Sequence, residues 1–186
     1  MIKKQIKEAA ILHFNRFGYE AAKMAQIAEE AGIRKQSLSY HYPSKKALLE
    51  ELFTGVVQEE QQFVIRYFEA AQGKMIEQQL YGFLNELKNR FLTLPNVSFM
   101  HITSFIAPLE IQDFVLGQFR QYVGTVKEEL CRIFRQGDSF RFTPEECALA
   151  MLTVIDGLEI QLVYETRQSY EAALAIIWDT FWKGIH

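Results

Sequence analysis

Proline occupies only four of the 186 positions, 43, 95, 108 and 144, and between these breaks the apolar residues recur with helical spacing. Proline removes a backbone donor and drives its predecessor out of the helical region, so long proline-free stretches with a 3.6-residue apolar period read as helices. Ile2, Ile6, Ala9, Ala10, Phe14 and Phe17 line one face of a first helix, which Gly18 is expected to stop. Two short helices follow at about 24–31 and 35–41, separated by Gly32, and Pro43 closes the second. Ser44 suits an N-cap for a long helix through Leu48, Leu52, Phe53 and Val56 that fades near Gly73. Residues 75–94 repeat the pattern, Pro95-Asn96 reads as a turn, and a short apolar piece covers about 99–106. Another helix is expected over 110–136, broken at Gly137-Asp138-Ser139. Thr143-Pro144-Glu145-Glu146 carries the parts of a capping box with proline at the first helical position. The helix it opens runs to about 166, and a last one spans about 169–183. No alternating strand pattern competes, so the expected fold class is all-α with about nine helices.

An apolar share of 49% supports a packed core, and no run approaches the roughly 18 consecutive apolar residues of a membrane helix. The first eight residues contain no signal-peptide apolar run, so the chain is expected in the cytoplasm, without a membrane partner. Cys131 and Cys147 form no short-spaced pair and read as buried thiols. The four histidines are scattered, and neither a phosphate loop nor a nucleophile elbow is present. Asp156 and Glu159 lie one turn apart on an apolar helix, a spacing that fits a polar edge or one pocket contact. No metal, cofactor or enzymatic activity is expected. Charge is unevenly placed: residues 1–50 hold nine Lys/Arg against five Asp/Glu, and residues 51–186 hold eleven against eighteen. A basic head on an acidic body is what one polyanion-binding end requires.

Residues 24–41 meet the demands of a helix-turn-helix. Ala28 is small where two helices cross, Gly32 can take positive φ in the turn, and Leu38 can anchor the second helix beside Ile27 and Ile33. Arg34, Lys35, Gln36, Ser37 and Ser39 then form a polar face able to reach base edges.

The register Ile6-Lys7-Glu8-Ala9-Ala10, Phe14, Phe17-Gly18-Tyr19, Ile27-Ala28, Ala31-Gly32-Ile33, Leu38, Tyr40-His41-Tyr42, Ser44-Lys45 and Leu48-Leu49 resembles the DNA-binding domain of TetR-family regulators over about residues 3–53. Ile155-Asp156-Gly157-Leu158 is similar to a segment of the family's penultimate helix. The resemblance implies a DNA-binding domain at 1–46, with a three-helix head, and a ligand-binding and dimerisation domain at 47–186. It departs from the family at Ala22, where a capping Thr is usual and Lys23 is the expected substitute contact. Arg34, Gln36 and Ser39 also replace usual residues. Gln36 can pair with adenine, and Arg34 or Lys35 with guanine. Lys45 and Lys46 oppose the macrodipole of the helix they begin, which makes sense if that helix start holds a phosphate. Tyr40 and His41 are further candidate DNA contacts, and loss of Lys45 is expected to weaken binding to all sequences alike.

One short recognition helix reads few bases, so a homodimer on a near-palindromic operator is expected. Leu149, Leu152, Leu158 and Leu162, with Leu174, Ile177, Trp178 and Phe181, are the candidate interface, and Gly157 would permit close approach. The resemblance implies a four-helix dimer bundle there and a small-molecule pocket among the aromatic helices. Its candidate lining is Phe63, Tyr67, Phe83, Phe91, Phe105, Phe114, Met151 and Ile155, with His101, Gln118 and Tyr122 as polar anchors for a hydrophobic effector. The expected function is a sequence-specific repressor released by that effector. The alternative is a helical ligand-binding or interaction module without DNA binding.

Overall fold

A computed structural model describes residues 2–137 and 139–186; Asp138, part of the expected break near 137–139, lies outside them. The described residues form nine α-helices and one 3₁₀ turn, and no strand. In chain order they are α1 (Ile2–Ala21), α2 (Met24–Glu30), α3 (Lys35–His41), α4 (Lys45–Ala70), α5 (Ile76–Thr93), α6 (Pro95–Phe105), α7 (Gln112–Phe134), α8 (Pro144–Tyr164) and α9 (Arg167–Ile185). The 3₁₀ turn, Leu109–Ile111, precedes α7. The all-α expectation and its helix number therefore hold.

Two local expectations are corrected. Gly18 takes φ 71° and ψ 169°, a left-sided conformation open to glycine, but α1 resumes beyond it as a kinked last turn to Ala21. Pro95 opens α6 rather than marking a turn between elements, because its locked φ suits the first helical position, where no donor is needed. The capping box of α8 forms as expected: the Thr143 hydroxyl accepts from the Glu146 backbone N–H, and the Glu146 carboxylate accepts from the Thr143 N–H.

The chain divides into two compact units, each discontinuous in sequence. The first comprises Met1–Glu59 and Leu94–Gln121, the second Glu60–Thr93 and Tyr122–His186. The single boundary at 46/47 implied by the resemblance differs from this division, which instead cuts within α4 and again after α5 and within α7.

In the first unit α1 packs on α2 and α6, and α2 packs on α3. Ile6, Ala10, Phe14, Ile27, Leu38, Leu48 and Phe53 are buried there. Phe99 of α6 lies 5.9 Å from Phe14 and 6.1 Å from Phe53, ring centre to ring centre. In the second unit α8 packs on α9 and α5. Phe68, Leu80, Phe83, Leu84, Phe134, Met151 and Leu174 are buried, and the Tyr170 hydroxyl donates to the Leu84 carbonyl at 3.1 Å. By length and composition α8 is apolar enough to cross a membrane, the one such helix among the described residues. It buries Cys147, Met151, Leu152, Ile155 and Leu158, as a core helix does.

Candidate nucleic-acid interface

The turn between α2 and α3 is built by local chemistry. Ala31 ends α2 in the helical region, and Gly32 then takes φ +67°. The Gly32 N–H donates to Glu29 O at 3.0 Å and the Ile33 N–H to Ala28 O at 2.9 Å. This pair of bonds is a Schellman motif, and it reverses the chain within one residue. A side chain at 32 would find open space but a strained backbone. Leu38, fully buried, pins α3 from beneath together with Ile27 and Ala28. Beside them His13 of α1, buried, lies with Nδ1 3.0 Å from the Glu30 carboxylate and supports the end of α2. That link was not legible in the sequence, since its partners are seventeen positions apart with no motif joining them.

The outer face of α3 is where the predicted contacts converge. Arg34 caps α3 through its backbone alone, leaving its guanidinium out of the fold. Arg34, Lys35, Gln36 and Ser39 are exposed, and Ser37 and His41 are half-buried. Among the described residues, no hydrogen bond or ion pair within the chain engages the side chains of Arg34, Lys35, Gln36 or Ser39. Tyr40 is 85% exposed, an unusual position for so large a ring, and rests edge-on against His41 at 5.3 Å. Lys23 is exposed at the N-cap of α2. From Ala31 to Lys46 there is no acidic residue, and Arg34 and Lys35 stand without an acidic neighbour on their own helix.

The two lysines that begin α4 part company. Ser44 caps the helix by accepting from the Ala47 N–H at 3.0 Å. Lys46 is half-exposed, with only a 4.0 Å approach to Glu50. Lys45 instead turns inward, its ammonium donating to the carbonyls of Tyr19 (2.5 Å), Glu20 (3.2 Å) and Ala22 (3.1 Å) and lying 4.3 Å from the centre of the Tyr19 ring. Those carbonyls end α1, where a cation is favoured by the unpaired C=O groups. The expectation of a free phosphate-binding ammonium at 45 is therefore revised. Its local conflict with the α4 dipole is resolved by the C-terminus of α1. The Tyr19 hydroxyl donates to Glu110 at 3.1 Å, and burial first, then this carboxylate, pushes its pKa upward.

A second clamp holds α1 from the other side. Glu51 receives the Lys7 ammonium at 2.9 Å and the Tyr42 hydroxyl at 3.0 Å, with Lys3 at 3.9 Å. The Lys7 hydrogen bond, followed by the Tyr42 bond and the lysine charges, holds the Glu51 carboxyl below the usual carboxylate range against a smaller opposing effect of burial. A depressed folded-state pKa stabilises above the unfolded value and loses that contribution as pH falls through the folded one. Melting followed from pH 7 down to about pH 3 should therefore show the head weakening below about pH 4. A Glu51→Gln variant should lose part of that slope, and an identical acid limb in both proteins would refute the clamp.

The other candidate residues separate by unit. In the first, His101 is buried, Phe114 and Gln118 are half-buried, and Phe105 is exposed. In the second, Phe63, Tyr67 and Phe83 cluster with ring centres 5.3–6.3 Å apart, Phe63 stacked on Phe83 and Tyr67 tilted against both. Phe91 is half-buried, while Tyr122, Met151 and Ile155 are buried. The Tyr67 hydroxyl donates to Gln79 O at 2.9 Å, and burial, then Glu86, pushes its pKa up to about 12. Of the interface candidates, Leu152, Leu158, Leu174 and Phe181 are buried within the chain and offer a partner little surface. Leu149 is exposed, and Leu162, Ile177 and Trp178 are half-buried. The open apolar residues of α8 and α9 are Leu149, Ile160, Tyr164 and Ile176, three of them unmarked by the sequence reading. Periodicity identifies an apolar face without saying whether the same chain or another one covers it.

A Schellman-turned pair of short helices with an acid-free polar face defines a helix-turn-helix protein. The family of bacterial regulatory proteins called tetR matches residues 6–52. The transcriptional regulator RutR of Escherichia coli K12 is 48% identical over 46 residues, which are 25% of this chain and 22% of RutR. The chain thus matches about a fifth of that relative's length. The IcaR negative transcriptional regulator of the Staphylococcus aureus icaADBC biofilm operon is 21% identical over 163 residues, covering 84% of this chain and 81% of IcaR. A TetR transcription regulator from Haloarcula marismortui has the same fold, with TM-score 0.75 and 19% identity over 99% of this chain and 97% of its own. Residues 6–52 are thus similar to the TetR family, and the chain as a whole shares the fold of solved TetR-family regulators.

Proposed function

We propose that the protein is a sequence-specific DNA-binding transcriptional regulator acting as a repressor, as IcaR, a negative transcriptional regulator, is. The observation that carries the reading is the outer face of α3. There, Arg34, Lys35, Gln36 and Ser39 stand without hydrogen-bond or ion-pair partners beside an 85%-exposed Tyr40, on a helix anchored by buried Leu38. Side chains left unpaired on a rigid support are what base readout needs, since the partner must supply the missing bonds. Lys23, Ser37, His41 and Lys46 flank this face as phosphate contacts. Leu149, Ile160, Tyr164 and Ile176 supply the apolar surface for a homodimer, which doubles the bases read. A hydrophobic effector held among the aromatic helices would release the operator by favouring one arrangement of the protein over another. The cytoplasm is the compartment this activity requires.

A fragment of the protein's own promoter region, labelled and titrated in a mobility-shift assay, tests the proposal. Retardation that competes with the same fragment but not with unrelated DNA is expected. Arg34→Ala should weaken it by about 1–3 kcal/mol, and Gln36→Ala should change which bases are preferred at one position of each half-site. Retardation indifferent to sequence, or none at micromolar protein in low salt, would overturn the reading.

A further inference from the structure

The first unit contains a cleft of about 610 Å³ bounded by α1, α4 and α6, away from every residue assigned above to DNA, dimer or effector. Its walls are apolar: Ile11 and Leu12 from α1, Leu52 and Val56 from α4. Leu12 is 48% exposed beside half-buried Ile11, so the cleft keeps an apolar flank open to water. Gly55 lies in the middle of α4 on the same wall, and a Cβ built there would meet no atom within 4 Å. A glycine inside a helix lowers its stability relative to alanine. No close helix contact accounts for this one; its effect is to leave volume in the cleft.

The ends of the cleft differ in charge. Glu59 lies at one end, where it accepts from the Asn96 amide at 3.2 Å. Lys4 and Lys7 lie at the other. Lys7 is committed to Glu51 at 2.9 Å, whereas Lys4 approaches only Glu8, at 3.8 Å, with both side chains largely in solvent. Such a pair is weak and readily exchanged. The charged lining, Lys4 and Lys7 with Glu8 and Glu59, is balanced, so Lys4, in its weak pair, is the lysine left to meet an anion.

We propose that this cleft binds a small lipophilic carboxylate, its hydrocarbon against Ile11, Leu12, Leu52 and Val56 and its carboxylate at Lys4. The volume matches small-molecule sites, and an apolar wall with one charged anchor is their usual chemistry. Bound there, the ligand bridges α1 and α4, the helices joined by Lys45.

Octanoate and 1-octanol, equal in chain length and different in charge, are the probes. Titration of the full-length protein, followed by methyl NMR shifts, should show saturable octanoate binding centred on Ile11, Leu12, Leu52 and Val56. Gly55→Phe, which fills open space, should weaken both probes by at least about tenfold without lowering the melting temperature. Leu12→Asp, at the half-exposed flank, should do the same and serves if Gly55→Phe fails to fold. Lys4→Gln should weaken octanoate by about threefold and leave 1-octanol unchanged. Octanoate binding untouched by both cleft variants, shifts located elsewhere, or no saturable binding would overturn the site. Equal loss of both probes in Lys4→Gln would overturn the carboxylate assignment. None of these readouts depends on operator binding.

Discussion

Replacing Arg90 with alanine is expected to destabilise the protein by about 3–5 kcal/mol, because it strands a carboxylate that has almost no access to water. Glu60 is 1% exposed, and the Arg90 guanidinium holds both of its oxygens, Nε to Oε2 at 3.0 Å and Nη2 to Oε1 at 2.5 Å. The same guanidinium lies 3.8 Å from the centre of the Phe63 ring, so the substitution also removes a cation–π contact. Desolvating an ion pair is costly, and the pair is not thereby worth several kcal/mol as a pair; what is costly is breaking it from one side. The double variant Glu60→Leu with Arg90→Met should therefore recover most of the loss. Urea unfolding at fixed protein concentration measures both, and a drop in melting temperature on the order of 10 °C is expected for the single variant. A loss below about 1 kcal/mol for Arg90→Ala would mean that water reaches Glu60 after all.

The second large effect separates two adjacent lysines. Lys45→Met should lower the stability of the head by about 1.5–3 kcal/mol, the range for hydrogen bonds to a charged group, as the carbonyls of Tyr19, Glu20 and Ala22 lose their shared donor. Lys46→Ala should change stability by no more than about 0.5 kcal/mol, since its contact with Glu50 is long and half-exposed. On the operator the order reverses. Lys46→Ala should reduce the salt dependence of binding by about one phosphate contact, while Lys45→Met leaves that slope unchanged. Thermal melting and salt titration of both variants on one DNA fragment are the measurements. A reduced slope with intact stability for Lys45→Met would return that residue to the DNA.

The same pair shows why part of the site was hidden in the sequence. Lys45 and Lys46 are identical in type and adjacent, and both oppose the dipole of α4. Only the chain folded back from 19–22 distinguishes them, through partners 23–26 positions away. Gly32 and Leu38, by contrast, were readable because the turn they build closes within six residues. Gly18 and Pro95 fall between these cases: each marks a real local event, but whether the helix resumes or begins there depends on the packing of α1 against α6. Leu149 and Leu152 illustrate the remaining difficulty, since they are three residues apart on one helix, at the spacing of a single apolar face, and differ in what covers them.

By itself the sequence determined the helices and their order, the Gly32 turn and the face of α3 that points away from Leu38. These follow from backbone preference and side-chain period, which act over a few residues. The tertiary structure alone decided that Lys45 ends α1, that Glu60 is buried against Arg90, and that Gly55 opens onto a cleft. Each of those depends on which distant segment arrives beside a side chain, and burial and charge pairing have no signature in local periodicity.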